Sequence, residues 1–142
     1  MSSFTTSFVV DRTPDEVYAA INDVPGWWTG EVLGTTDVLG EEFSYRQTEF
    51  HYSKQRVVDL VPGQRIAWRV VEAHLSFAPD PHEWQGTEIA FDLKPHGEGT
   101  EVVFTHHGLG PELACYDDCS SGWRFYVDGS LRERLVAEAL PR

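Results

Sequence analysis

The periodicity of the chain changes once, near Pro111, and that change limits the folds open to it. Across residues 30–108 apolar side chains alternate with polar ones, in runs broken by turn residues, as in antiparallel strands. After Pro111 the spacing becomes helical. Trp123, Val127, Leu131 and Leu135 recur every four residues, flanked by Tyr126 and Ser130, while Arg124, Asp128, Arg132 and Glu133 fall mainly on the other side. A sheet with one apolar face and a helix with one apolar stripe can bury each other. The expected class is therefore α+β, a curved antiparallel sheet gripping a long C-terminal helix.

The first residues refine this plan. "SFTTSFVVD" (3–11) places Phe4, Thr6, Phe8 and Val10 on one face of a strand. "RTPDEVYAAIND" then carries a helix start: Thr13 as cap, Pro14 at the first helical position and Glu16 completing a capping box. Val17, Tyr18 and Ile21 form its buried stripe, and the helix ends around "DVPGWW". The strands that follow are read in "EEFSYRQ", "EFHYSKQRVVDL", "RIAWRVVEAHL", "GTEIAFDLKP" and "TEVVFTHHG". Turns fall at "VPGQ" and "HGEG".

With 142 residues and no repeat or linker, residues 1–142 read as one domain. The net charge of −12 supplies no basic stripe for nucleic acid and disfavours anionic membrane surfaces. No run of about 18 apolar residues could span a bilayer, and "MSSFTTSFVVDRTP" lacks signal-peptide features, so a cytoplasmic location is expected. Aromatic residues reach 13%, with five Trp, five Tyr and eight Phe. So much ring surface in a small domain points to a bulky core or an aromatic-lined cavity.

These segments resemble the START-like (SRPBCC, helix-grip) superfamily, most closely homologues of the activator of the heat-shock protein 90 ATPase. The resemblance rests on "FVVDRTPDEVYAAI", Trp27–Trp28, "VVDLVPGQRIAWRV", "EWQGTEIAFDL", "TEVVFTHHGL" and the closing "GWRFYVDGSL". A subset of that family also carries Cys-Tyr-x-x-Cys ahead of the last Trp, matched by Cys115, Tyr116 and Cys119. The resemblance implies the helix-grip fold. Its members include co-chaperone domains, lipid or polyketide binders and cyclases.

A helix laid across a bent sheet often leaves space between the two. Side chains expected to point there are Trp27, Trp28, Phe43, Tyr45, Trp68, Phe91, Phe104, Trp123 and Tyr126, either as core or as the wall of a ligand cavity. His106 shares an inward face with Val102 and Phe104. It is open to three readings: a satisfied core histidine, a polar anchor for a ligand, or a general base. His107 should face outward. In "LACYDDCSSGW", Cys115 and Cys119 lie four apart on one helix face. That spacing is one residue longer than the redox Cys-x-x-Cys, and a zinc site would need about two more ligands than the two thiols. The two thiols are read as packing under the sheet and as part of the cavity wall. No metal or other cofactor is expected.

No nucleophile elbow, zincin motif, phosphate loop or dinucleotide fingerprint occurs. The leading expectation is thus a domain that binds a hydrophobic or aromatic small molecule, without a catalytic constellation. A chaperone-modulating interaction domain is the alternative, and a cyclase- or hydrolase-like enzyme using His106 with a tyrosine is the third reading. A homodimer is compatible with all three.

Overall fold

The computed structural model describes residues 3–28, 31–47, 51–75, 82, 84–110 and 116–138. Its strands are β1 (Ser3–Val10), β2 (Glu31–Gly34), β3 (Glu42–Gln47), β4 (His51–Val61), β5 (Arg65–Leu75), β6 (Glu88–His96) and β7 (Gly99–His107). All pair antiparallel in one sheet, ordered β1-β7-β6-β5-β4-β3-β2. Consecutive strands from β2 to β7 are neighbours, and β1 returns to the far edge beside β7. The expected meander is present, with one addition. The four-residue β2, "EVLG", lies at the edge and was not anticipated, because two or three alternating positions are too few to register as a strand.

Between β1 and β2 the chain forms α1 (Pro14–Asn22) and a 3₁₀ turn (Val24–Gly26). The capping box closes as expected: Glu16 N–H donates to Thr13 Oγ1 at 3.2 Å, and Thr13 N–H donates to Glu16 Oε1 at 3.0 Å. Val17, Ala20 and Ile21 are buried, and α1 lies against β5, β6 and β7. Thr13→Ala leaves the Glu16 N–H in the first turn without its side-chain acceptor. It should lower stability by about 1 kcal/mol, read as an earlier urea midpoint with an unchanged slope.

The inner face of the sheet carries Phe4, Phe8 and Val10 of β1, Phe43 and Tyr45 of β3, Trp68 of β5, Phe91 of β6 and Val102, Phe104 and His106 of β7, all buried. His107, next in the chain, is exposed. Pairing between β4 and β5 slips twice, at Lys54/Gln55 and at Val57/Asp59. Such bulges bend a strand and increase its twist, which here curves the middle of the sheet. The turn between the two strands places Gly63 at φ 70°, a conformation that glycine adopts without strain.

The C-terminal helix lies on the inner face, but it is not α-helical throughout. α2 (Tyr116–Trp123) and α3 (Arg132–Glu138) flank a π-helical stretch, Arg124–Leu131. The four-residue apolar spacing gives a physical reason. An α-helix turns about 100° per residue, so each step of four overshoots a full turn by about 40°. Three steps would carry Leu135 about 120° away from Trp123. The wider i→i+5 winding uses more residues per turn and offsets that drift. Trp123, Val127, Leu131 and Leu135 all remain buried as a result. Polar contacts pin the helix at several heights. Thr6 Oγ1 donates to Asp128 at 2.9 Å, Ser130 Oγ donates to the Trp27 carbonyl at 2.6 Å, and Arg134 pairs with Asp23 at 3.0 Å.

Candidate functional site

All five tryptophans converge between the sheet and the helix, Trp27 and Trp28 from the 3₁₀ turn and the other three from separate parts of the chain. Trp28, which follows the 3₁₀ turn, is the hub. Its ring centroid lies 4.5 Å from Tyr45, 5.6 Å from Trp27, 5.8 Å from both Trp68 and Trp123, 6.3 Å from Tyr126 and 6.5 Å from Phe43. Phe91 and Phe104 extend the cluster along β6 and β7, with Phe104 4.7 Å from Trp123. The aromatic residues singled out in the sequence therefore meet in one body. Most contacts are tilted or edge-to-face, the arrangements that ring quadrupoles favour. Tyr45 and Tyr126 join hydroxyl to hydroxyl at 3.3 Å across the gap between sheet and helix.

Trp84 was not among the expected residues. It precedes β6 in a connection rich in turn residues, where nothing in the local pattern signals burial. Its ring stacks on Trp123 at 5.7 Å and 6° and also meets His51 and His106, at 5.1 and 4.8 Å. Of the two cysteines, Cys119 is a buried thiol, whereas Cys115 lies outside the described residues.

His106 is buried with both ring nitrogens engaged. Trp123 Nε1–H donates to Nδ1 at 3.0 Å, so Nδ1 carries no proton. Nε2 lies 2.8 Å from Thr87 Oγ1, whose own hydrogen goes to the Trp84 carbonyl at 2.6 Å. The proton is therefore on Nε2, and Thr87 accepts it. Burial, reinforced by the neighbouring His107, pushes the His106 pKa down to about 3. In this arrangement neither nitrogen is available to take a proton from a substrate. No tyrosine is bonded to it among the described residues.

A strip of polar side chains faces the cluster from β4. His51, Ser53 and Gln55 alternate onto the inner face, while Tyr52, Lys54 and Arg56 face out. Ser53 and Gln55 are fully buried. One end of the Gln55 amide is 2.6 Å from Ser53 Oγ, and His51 Nε2 is 3.2 Å from the same hydroxyl. Loss of water around the partly buried His51 pushes its pKa down to about 4. Cross-strand neighbours of this strip are Tyr45 and Phe43 on β3 and Ala73 and Val70 on β5. This strip was missed at the level of sequence, although a signal existed. In "HYSKQRV" the alternate positions Tyr52, Lys54 and Arg56 are large or charged, which leaves the smaller polar set to face inward.

Clefts lined by described residues, of about 330, 410 and 500 Å³, lie on other parts of the surface, and none is lined by a ring of the cluster. Among those residues no group of three His, Cys, Asp or Glu side chains could hold a metal ion. No helix among them is long and apolar enough to cross a membrane.

Comparison with known proteins agrees with this architecture. A family model described as Activator of Hsp90 ATPase homolog 1-like protein matches residues 11–135. Among curated proteins none matches. The fold is similar to the solution structure of the Aha1 dimer from Colwellia psychrerythraea, at 23% identity and a TM-score of 0.79, covering 98% of this chain and 99% of that one. It is also similar to CalU16 from Micromonospora echinospora (19% identity, TM-score 0.69, 98% and 77% covered). A third similar structure is protein CV1439 from Chromobacterium violaceum (18%, 0.70, 99% and 99%).

Proposed function

The chain belongs to the family of Activator of Hsp90 ATPase homolog 1-like proteins, and from that premise we infer that it acts as a single START-like domain binding an apolar or aromatic small molecule. The ligand would lie between the inner face of the sheet and the C-terminal helix, among the rings around Trp28. One observation carries this reading. The strip His51–Ser53–Gln55 is polar, yet it faces the aromatic cluster and not solvent. Burying polar groups costs free energy unless each finds a partner, and a core needed only for stability would be filled with Val, Ile or Leu at these positions. An apolar lining with a few placed polar groups is the ordinary make-up of a small-molecule site. Ser53 and Ala73, both small, also adjoin one another in register on that face.

Titration with a panel of fluorescent fatty acids, sterols and polycyclic aromatic compounds tests this. Because all five tryptophans lie in the cluster, a bound ligand should change their emission. At least one class should bind saturably, and Gln55→Leu should weaken it without unfolding the protein. A panel that leaves the emission unchanged throughout would overturn the reading.

A further inference from the structure

Three of the five indole N–H groups in the cluster have no acceptor among the described residues. Trp27 Nε1–H donates to the Ile21 carbonyl at 3.1 Å and Trp123 Nε1–H to His106. The Nε1 atoms of Trp28, Trp68 and Trp84 are buried, and no group among the described residues accepts from them. The tryptophans lie in a run, Trp68–Trp28–Trp123–Trp84, with neighbouring centroids 5.7–5.8 Å apart. A fourth polar atom, one end of the Gln55 amide, is likewise buried and unpartnered. Phe43, the residue opposite Gln55 on β3, has its ring 5.1 Å from Trp68.

Native cores rarely leave such groups unpaired, because each buried donor without an acceptor forfeits its hydration for nothing in return. Three in one cluster are too many to be incidental. The indole is a donor only, so the missing partners are acceptors. A hydrocarbon would leave them unmet.

We propose that the ligand is a flat, mainly apolar molecule whose edge carries carbonyl-type oxygens, which accept from the indole N–H groups of Trp28, Trp68 and Trp84. The Gln55 amide completes the polar side of the site, offering whichever end Ser53 does not use. This rests on the reading that the inner face holds a small molecule, and it adds the chemical class: aromatic ketones and quinones in preference to hydrocarbons of the same shape.

The test uses pairs that differ only in the carbonyl, fluorene against fluorenone and anthracene against anthraquinone. Affinity is read from tryptophan emission, and the indole N–H resonances are read by ¹⁵N–¹H correlation spectra assigned with single Trp→Phe variants. The ketone or quinone should bind about tenfold or more tightly than its hydrocarbon, about 1.4 kcal/mol. At least two of the three resonances should move downfield with the carbonyl compound and stay in place with the hydrocarbon. Trp68→Phe or Trp84→Phe should lose part of the preference for the carbonyl compound, read as a smaller ratio of the two affinities within each pair. Equal binding of both members of each pair, with the three resonances unmoved, would overturn the requirement for acceptors and leave the apolar site standing. Resonances already at hydrogen-bonded positions before any ligand is added would also overturn it. Failure of all four compounds to bind would count against the small-molecule site as well.

Discussion

Trp28→Ala should lower the stability of the protein by about 3–5 kcal/mol, the range for removing a large buried aromatic side chain. The position is expected at the upper end because six other rings, on β3, on β5, on the C-terminal helix and at Trp27, meet this one. Removal breaks every one of those pairs at once, and rings so mutually wedged cannot close the gap by small rotations. Against a total of about 5–15 kcal/mol for a domain of ordinary stability, such a loss brings the variant close to unfolding at room temperature. The measurement is the urea midpoint of the variant beside Phe125→Ala. Phe125 is 64% exposed on the outer side of the helix, so its removal should stay within about 0.5 kcal/mol. A loss under about 1 kcal/mol for Trp28→Ala, or equal losses for the two, would show that the rings do not form the packed centre of the fold.

Much of this architecture is legible in the sequence because it depends on periodicity. Alternation in "SFTTSFVVD" and "TEVVFTHHG" sets which side chains face in, and the change of period near Pro111 announces the helix that covers them. The π-helical stretch was not read, yet its cause was visible: a strict spacing of four residues fits neither 3.6 residues per turn nor a smooth stripe. What stayed hidden depends on contacts between distant segments. Trp84 is buried by Trp123, 39 positions later in the chain, and no local pattern around "EWQG" reports that. The inward side of β4 follows only from the composition of its other side. The role of His106 is narrowed only by two directions that the sequence does not carry, the Trp123 indole N–H toward Nδ1 and the Thr87 hydroxyl hydrogen away from Nε2. Sequence gives the face on which a histidine lies, whereas hydrogen-bond geometry decides what its nitrogens can still do.

The same geometry makes the protein sensitive to mild acid. His106 and His51 have pKa values pushed down to about 3 and about 4 from an ordinary 6.5. The unfolded chain therefore binds protons on both residues as the pH drops below about 6.5, while the folded protein does not, and stability must fall with falling pH across that window. The contribution is fully present above about pH 6.5 and is lost progressively toward the folded values. For each group the slope approaches about 1.4 kcal/mol per pH unit, so stability should decline by about 3–4 kcal/mol between pH 7 and pH 5. A structural reason accounts for the low value at His106. A proton on Nδ1 would face the Trp123 indole N–H, donor against donor, and would break the bond that ties β7 to the start of the π-helical stretch. Carboxylates with lowered values, such as Glu42 beside Arg56, act at lower pH, which leaves the interval from 7 to 5 to the histidines. Urea unfolding at half-unit steps of pH measures the slope directly. His106→Gln should reduce that slope by roughly half, whatever its effect on stability at pH 7, because one of the two titrating groups is gone. A stability that is flat from pH 7 to pH 5, or a slope that His106→Gln leaves unchanged, would contradict the neutral, doubly bonded imidazole at the centre of the ring cluster.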